Sequence, residues 1–175
     1  MSTAAIPTLL LTGTVGSGKT VVAIEIGHLL EQQGKSAAVV DLDWLGWLHL
    51  RSSTVTADQL IARNLAAIWP NLREAGMSYA VLARAIVGRD GLDALRVAVP
   101  EADLTVVRLT ASPGTIEGRL RRRDSGQELD EHLRESTEMS RVMDREQLAD
   151  MAVANDGGSP AEVARKVLRR VGWVG

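Results

Sequence analysis

Gly13-Thr14-Val15-Gly16-Ser17-Gly18-Lys19-Thr20 matches the pattern G-x-x-x-x-G-K-[ST] at every fixed position. It lies between an apolar run and a helical pattern, the context in which that spacing binds phosphate. The glycines let successive backbone N–H groups converge on phosphate oxygens, the helix N-terminus adds its positive dipole, and Lys19 reaches the terminal phosphates. Thr20 offers its hydroxyl to Mg²⁺. A glycine-rich strand-to-helix turn without a ligand would need neither Lys19 nor Thr20 in place. All eight residues are therefore expected to bind a nucleoside triphosphate together with magnesium.

Working outward, residues 8–12 form a short apolar run bounded by Pro7 and Gly13, which suits a strand buried on both faces of a parallel sheet. After the loop, Val22, Ile26, Leu29 and Leu30 fall on one helical stripe from Lys19 to Gln33, and Gly34-Lys35 stops it. Ala37-Ala38-Val39-Val40 reads as a second strand, which completes a βαβ unit. Thr56 and Gln59 have the spacing of a capping box and open a helix that carries Leu60, Ile61, Leu65, Ile68 and Leu72 to Gly76, kinked by Pro70. Residues 79–83 read as a third strand, Asp90 as the cap of a short helix ending before Pro100, and residues 104–109 as a fourth strand. Ser112-Pro113 opens another helix, and residues 128–147 read as a charged helical stretch. Residues 151–154 form a fifth strand, and Ser159-Pro160-Ala161-Glu162 caps a last helix running to about Val171. The alternation predicts one α/β domain over residues 1–175, a three-layer αβα sandwich with a mostly parallel five-stranded sheet.

Composition narrows the partners. At 175 residues the chain can bury roughly 70% of its unfolded surface, so a core forms without staples. There is no cysteine, which excludes disulfides, thiolate metal sites and cysteine nucleophiles. Twenty Lys and Arg against 22 Asp and Glu leave a formal charge of −2, so no global field would hold a nucleic acid and any anion site is local. The apolar Leu9-Leu10-Leu11 is short and lacks a basic flank, so neither a signal peptide nor a membrane span is expected and the protein reads as cytoplasmic.

Asp41 and Asp43 close the second strand, at the sheet edge where the phosphate loop lies and where ligands collect in open α/β sheets. Strand alternation would put both on one face, so one carboxylate can hold hydrated Mg²⁺ while the other accepts a proton from a substrate hydroxyl. Helix-capping or turn aspartates are the alternative. Further on, Arg119-Leu120-Arg121-Arg122-Arg123 ends a helix, and Arg119 and Arg123, four apart, share a face from which two guanidinium groups can reach a triphosphate or adenine. A solvated basic helix end, favoured by the helix dipole, is the other reading. No Asn-Lys-x-Asp element for guanine follows the later strands, which favours ATP. Asn155, Asp156 and Gly157 either line the adenine pocket or merely turn the chain before a capped helix.

With these residues in view, the chain resembles the P-loop small-molecule kinases, the group that contains shikimate, gluconate, adenylylsulfate and nucleoside monophosphate kinases. The resemblance covers essentially the whole chain and rests on residues 13–20, on Asp41-Leu42-Asp43, on the start of an arginine-bearing lid at residues 119–123, and on residues 155–157 as the adenine loop. It implies transfer of the ATP γ-phosphoryl to a small-molecule acceptor, with Asp43 on the acceptor side, Asp41 on the magnesium side, and a lid over residues 126–146. Leu42 stands where adenylylsulfate kinases carry glycine, and Ala83-Arg84-Ala85 stands where shikimate kinases carry three glycines.

The acceptor side reads as aromatic and cationic. Trp44 and Trp47 either wall an acceptor pocket or pack into the core, and Arg51 either binds an acceptor anion or lies exposed. His49 reads as an ordinary polar residue, whereas Arg84 and Arg89 are further anion candidates after the third strand. Two functions follow. One is an ATP-dependent kinase of a small molecule; the other is a nucleotide-binding switch or slow ATPase that controls a protein partner.

Overall fold

Ile6–Thr12 forms β1 and buries side chains on both of its faces, as its uninterrupted apolar sequence requires. Leu9 and Leu11 face one layer, and Ile6 and Leu10 face the other. The computed structural model of the chain describes residues 5–47 and 54–174. Within them follow α1 (Lys19–Gln32), β2 (Ala37–Asp41), a 3₁₀ turn (Leu42–Leu45), α2 (Ala57–Glu74), β3 (Tyr79–Ala83), α3 (Arg89–Ala98), β4 (Ala102–Thr110), α4 (Pro113–Arg123), α5 (Gly126–Glu146), β5 (Met151–Ala154) and α6 (Pro160–Arg170). The sheet has five strands in the order β2-β3-β1-β4-β5, all parallel. The expected three-layer α/β sandwich is thus the observed one.

Each face carries its own core. Val22, Ala23, Ile26 and Leu30 of α1 pack with Val163, Ala164, Val167 and Leu168 of α6 over Leu9, Leu11, Val81, Val107 and Val153. On the other face Ile61, Leu65 and Trp69 of α2 and Leu92 and Leu95 of α3 cover Leu10, Leu82 and Val106. The alternation along β4 continues past this core, so that Arg108, two residues after Val106, turns toward the α2 and α3 side at the carboxyl edge of the sheet. Among the described residues no helix is long and apolar enough to cross a membrane.

Local signals held at two helix starts. Thr56 accepts from the Gln59 N–H while Gln59 reaches back to the Thr56 N–H, and Ser159 and Glu162 repeat the arrangement at α6. Pro70 lies inside α2. The expected cap at Asp90 is corrected: the cap lies two residues earlier, at Gly88, so Asp90 sits in the first turn, where a negative charge favours the helix dipole. β1 and β4 also reach further toward their N-terminal ends than their apolar runs suggested, because the ladder partners Ile6 with Ala102.

Leu82 is fully buried in the central β3. Leu82→Ala is expected to cost about 2–5 kcal/mol in urea unfolding, whereas Thr56→Ala, which loses one cap, costs about 1 kcal/mol.

Candidate functional site

The phosphate loop leaves β1 at the centre of the carboxyl edge. Gly18 carries φ +92, and a Cβ there would stand 2.6 Å from the Asn155 amide nitrogen, so both backbone conformation and close approach demand glycine. Gly18 caps α1 without a side-chain bond, and the first turn of α1 holds no acidic residue. The N–H groups of that terminus are thus left to a ligand, which is the arrangement that binds phosphate.

Lys19 lies across the loop and donates to the carbonyls of Gly13 and Thr14 at 3.1 and 3.0 Å. Burial pushes its ammonium below the ordinary value, and the nearby carboxylates of Asp43 and Asp41 act against that shift. Thr20, the next residue, donates its hydroxyl to Asp41 Oδ2 at 2.6 Å. The other oxygen of Asp41 accepts from the Asp43 N–H at 3.1 Å and so caps the 3₁₀ turn. The two aspartates therefore do not alternate along one strand: Asp41 ends β2, while Asp43 lies in the turn. The turn follows from that cap, since a carboxylate that accepts the N–H two residues on draws the chain out of extended geometry. Asp43 Oδ1 accepts from Arg84 at 2.9 Å, and the same guanidinium reaches Asp58 Oδ1 at 2.6 Å.

A cavity of about 490 Å³ joins these pieces, lined among others by Lys19, Thr20, Asp43, Arg119, Arg123 and Asn155. Arg119 does not present a free guanidinium. Its Nη1 donates to the carbonyls of Gly16 and Ser17, both at 3.3 Å, and its Nη2 donates to the Asn155 carbonyl at 2.7 Å and to Asn155 Oδ1 at 3.2 Å. Asn155 is buried, and its amide nitrogen donates to the Ser17 carbonyl at 2.8 Å. Asp156 turns the other way and accepts from the Ser112 N–H at the start of α4, which holds its carboxyl below the usual carboxylate range. Arg123 is bound by its neighbour, with Nε and Nη2 on the two oxygens of Asp124 at 2.7 and 3.0 Å. His132 Nδ1 lies 2.8 Å from Asp124 Oδ2. Arg123 foremost, and His132 after it, hold the buried Asp124 carboxyl down at about 2.

The remaining sequence candidates lie outside this cavity. Trp44 and Trp47 are 69% and 61% exposed, with their rings 4.9 Å apart, so they do not pack into the core. Arg84 is drawn between Asp43 and Asp58, and Arg89 begins α3 on the surface. Arg51 and His49 lie outside the described residues. Residues 126–146 form one continuous helix, α5, docked by the Ser136 hydroxyl on the Val15 carbonyl at 3.1 Å and by the buried Met143. Asp58, Asp124 and Ser136 went unread in the sequence, because none stands in a local pattern that announces a partner on a distant element.

Donor chemistry at Thr20 and Asp41 suits a hard divalent cation. A hydroxyl and a carboxylate converge at the phosphate loop, Thr20 exposed and Asp41 half-buried, and oxygen ligands of this kind suit Mg²⁺ with several retained waters.

Because its folded carboxyl titrates below the ordinary 3.8, Asp124 stabilises the fold fully above that pH and loses the contribution as pH falls toward about 2. Asp124→Asn is expected to be less stable than wild type in urea at neutral pH, and the gap should close between about pH 4 and pH 2. A gap of constant size down to the lowest pH would assign the loss to packing instead. Asn155→Ala leaves the Ser17 carbonyl with the longer Arg119 contact alone and is expected to cost about 1–3 kcal/mol by the same assay.

No family model matches the chain, and no curated protein matches it in sequence. Among solved structures it is similar to the Mycobacterium tuberculosis APS kinase CysC in complex with AMPPNP and APS, at 22% identity and a TM-score of 0.62, over 97% of this chain and 99% of that one. It is similar to the Deinococcus radiodurans tunicamycin resistance protein at 18% identity and a TM-score of 0.68, over 95% and 96% of the two chains. A gluconokinase from Sinorhizobium meliloti 1021 aligns at 21% identity and a TM-score of 0.61, over 98% of this chain and 94% of that one. At such identities the likeness is one of fold. Near-complete coverage in both directions gives this chain the fold of the P-loop small-molecule kinases.

Proposed function

We propose that the protein is an ATP-dependent phosphotransferase that moves the γ-phosphoryl group to a hydroxyl of a small molecule. The observation that carries this reading is Asp43, a carboxylate that lines the same cavity as Lys19 while Asp41 already serves Thr20. A nucleotide-binding switch needs one acidic group for magnesium and has no use for a second beside the phosphates. Phosphoryl transfer does, because the acceptor proton must go somewhere.

In this reading the loop N–H groups and Lys19 hold the β- and γ-phosphates, and the end of the cavity at Arg119, Asn155, Gly158 and Pro160 takes the base. Asn155 contributes by holding the loop, and Asp156 by holding the start of α4. Thr20 and Asp41 would hold Mg²⁺, which supplies charge neutralisation for the phosphates when bound. The acceptor oxygen forms a bond to the γ-phosphorus, the bond from that phosphorus to the β–γ bridging oxygen breaks, and the hydroxyl proton passes to the Asp43 carboxylate. ADP is the leaving group. Arg84 fixes the direction of Asp43, and Arg123, at the junction of α4 and α5, lies where charge develops on the transferred group. The segment 126–146, docked on the phosphate loop through Ser136 and the Val15 carbonyl, acts as the lid beside the phosphates and limits access of water. Trp44 and Trp47 stand beside Asp43 on the acceptor side, with Arg51 in the same stretch of chain. The alcohol acceptors implied by the gluconokinase and APS kinase likeness are the classes to try first, with hydroxylated antibiotics after the tunicamycin resistance protein.

ADP release from MgATP across sugar acids, nucleosides, adenylylsulfate and hydroxylated antibiotics tests the reading. An acceptor that multiplies the basal rate is expected, and Lys19→Ala should abolish that rate with the circular dichroism unchanged; near-normal turnover in Lys19→Ala would refute the assignment. Asp43→Asn should lower kcat by about 10²–10⁴ and leave ATP affinity nearly unchanged. Should it weaken only ATP binding, Asp43 has no role toward the acceptor.

A further inference from the structure

We infer that the acceptor carries an anionic group, a carboxylate or a phosphate ester, bound by Arg108 in a groove between α5 and the β3–α3 loop; the inference rests on the phosphotransferase reading. A second cavity, of about 330 Å³, lies there, lined by Thr12, Ile86, Arg108, Met143 and Gln147 among others. Thr12 pairs with Arg108 across the β1–β4 ladder and directly precedes Gly13, so the groove begins one residue from the phosphate loop, on the sheet face opposite α1. No step of the reaction described above uses it.

Two features mark the groove as a binding site rather than a packing fault. The Arg108 side chain is only 14% exposed, yet its one carboxylate partner, Asp144 at 2.7 Å, is 68% exposed and meets a single nitrogen. Ser140 adds only two long contacts of 3.3 and 3.4 Å, and Nε is buried with no partner among the described residues. A half-buried guanidinium whose five N–H donors meet one monodentate carboxylate and two long Ser140 contacts is short of acceptors, and a carboxylate or phosphate group supplies two oxygens at once. Second, most of the other lining is apolar, from Ile86, Met143, Leu148 and Met151, so the Arg108 guanidinium with its competitor Asp144, and the polar Thr12 and Gln147, are the groups that set orientation.

The spacing suits a small acceptor. Asp43 follows β2 and Arg108 lies on β4, three strand spacings apart, or about 14 Å between backbones. The two side chains and a molecule of sugar-acid size fill that distance together. An anion anchored on Arg108 thus leaves a hydroxyl at the far end of the molecule to face Asp43 and the γ-phosphate.

The test separates this inference from the reading beneath it. Binding of a fluorescent ATP analogue to the wild type comes first, and its absence would sink the phosphotransferase reading. With MgAMPPNP then saturating the phosphate loop, acetate and inorganic phosphate are titrated while the backbone amides of Thr12, Gln147 and Ala152 are followed by NMR. Saturable shifts are expected, from acetate if the site takes a carboxylate and from phosphate if it takes a phosphate ester. Arg108→Gln should weaken them by about tenfold or more. Asp144→Asn should tighten them several-fold, because it removes the internal competitor; a purely structural ion pair predicts a lowered Tm and no gain in anion binding. Nucleotide binding without any shift at these amides, or shifts unchanged in Arg108→Gln, overturns the inference and leaves the phosphotransferase reading standing.

Discussion

A loop that turns its N–H groups inward toward phosphate must turn its carbonyls outward, and buried carbonyls need donors. Most of the chain after β4 is disposed to meet that requirement. The Val15 carbonyl accepts from Ser136 of α5, those of Gly16 and Ser17 from Arg119 of α4, and that of Ser17 again from Asn155 after β5. Lys19 closes the ring from inside by donating to Gly13 and Thr14. Three elements distant in sequence thus converge on a loop of eight residues. The left-handed Gly18 makes the convergence possible, because any side chain there would expel the Asn155 amide.

This division of labour gives arginines two kinds of duty. Arg119 spends its donors on backbone carbonyls, so its charge reaches the cavity while its geometry is fixed by the loop it braces. Arg123 is held on Asp124, whose carboxyl stays ionised down to about pH 2 because the guanidinium and His132 both face it. A charged group held in place in this manner needs no reorganisation when charge develops nearby, which is the condition under which electrostatic stabilisation is most effective.

Where the sequence was legible, the signal was local. The phosphate loop, the two capping boxes and the apolar run of β1 each sit within a span of a few residues, and the structure kept them. The backbone placement of Asp43 was misjudged because strand alternation was extended past Asp41, whereas the Asp41 carboxylate captures the Asp43 N–H and starts a 3₁₀ turn. The duty of Arg119 was hidden for a different reason: its partners Gly16 and Ser17 lie more than a hundred residues away, and a backbone carbonyl has no sequence signature. Arg108 was read only as part of a strand. Its importance arises from the register that sets it beside Thr12 and from the helix that covers it, neither of which composition or periodicity contains.

The cations at this edge share one property. Arg84 is paired with Asp43 and Asp58, Arg108 with Asp144, Arg123 with Asp124, and Lys19 with two carbonyls. In a chain of net charge −2 the carboxylates outnumber the cations, so a local anion site survives only where a ligand outcompetes the internal acceptor. The competition differs from pair to pair. Asp124 is almost wholly buried and grips Arg123 with both oxygens, so exchange there is costly. Asp144 is largely exposed and meets Arg108 through one nitrogen, so it can return to water with little loss when a bidentate anion replaces it. Selectivity for a ligand's charge would then rest on how weakly the protein holds each of its own pairs, and of the two pairs compared the half-buried Arg108 is the more easily released.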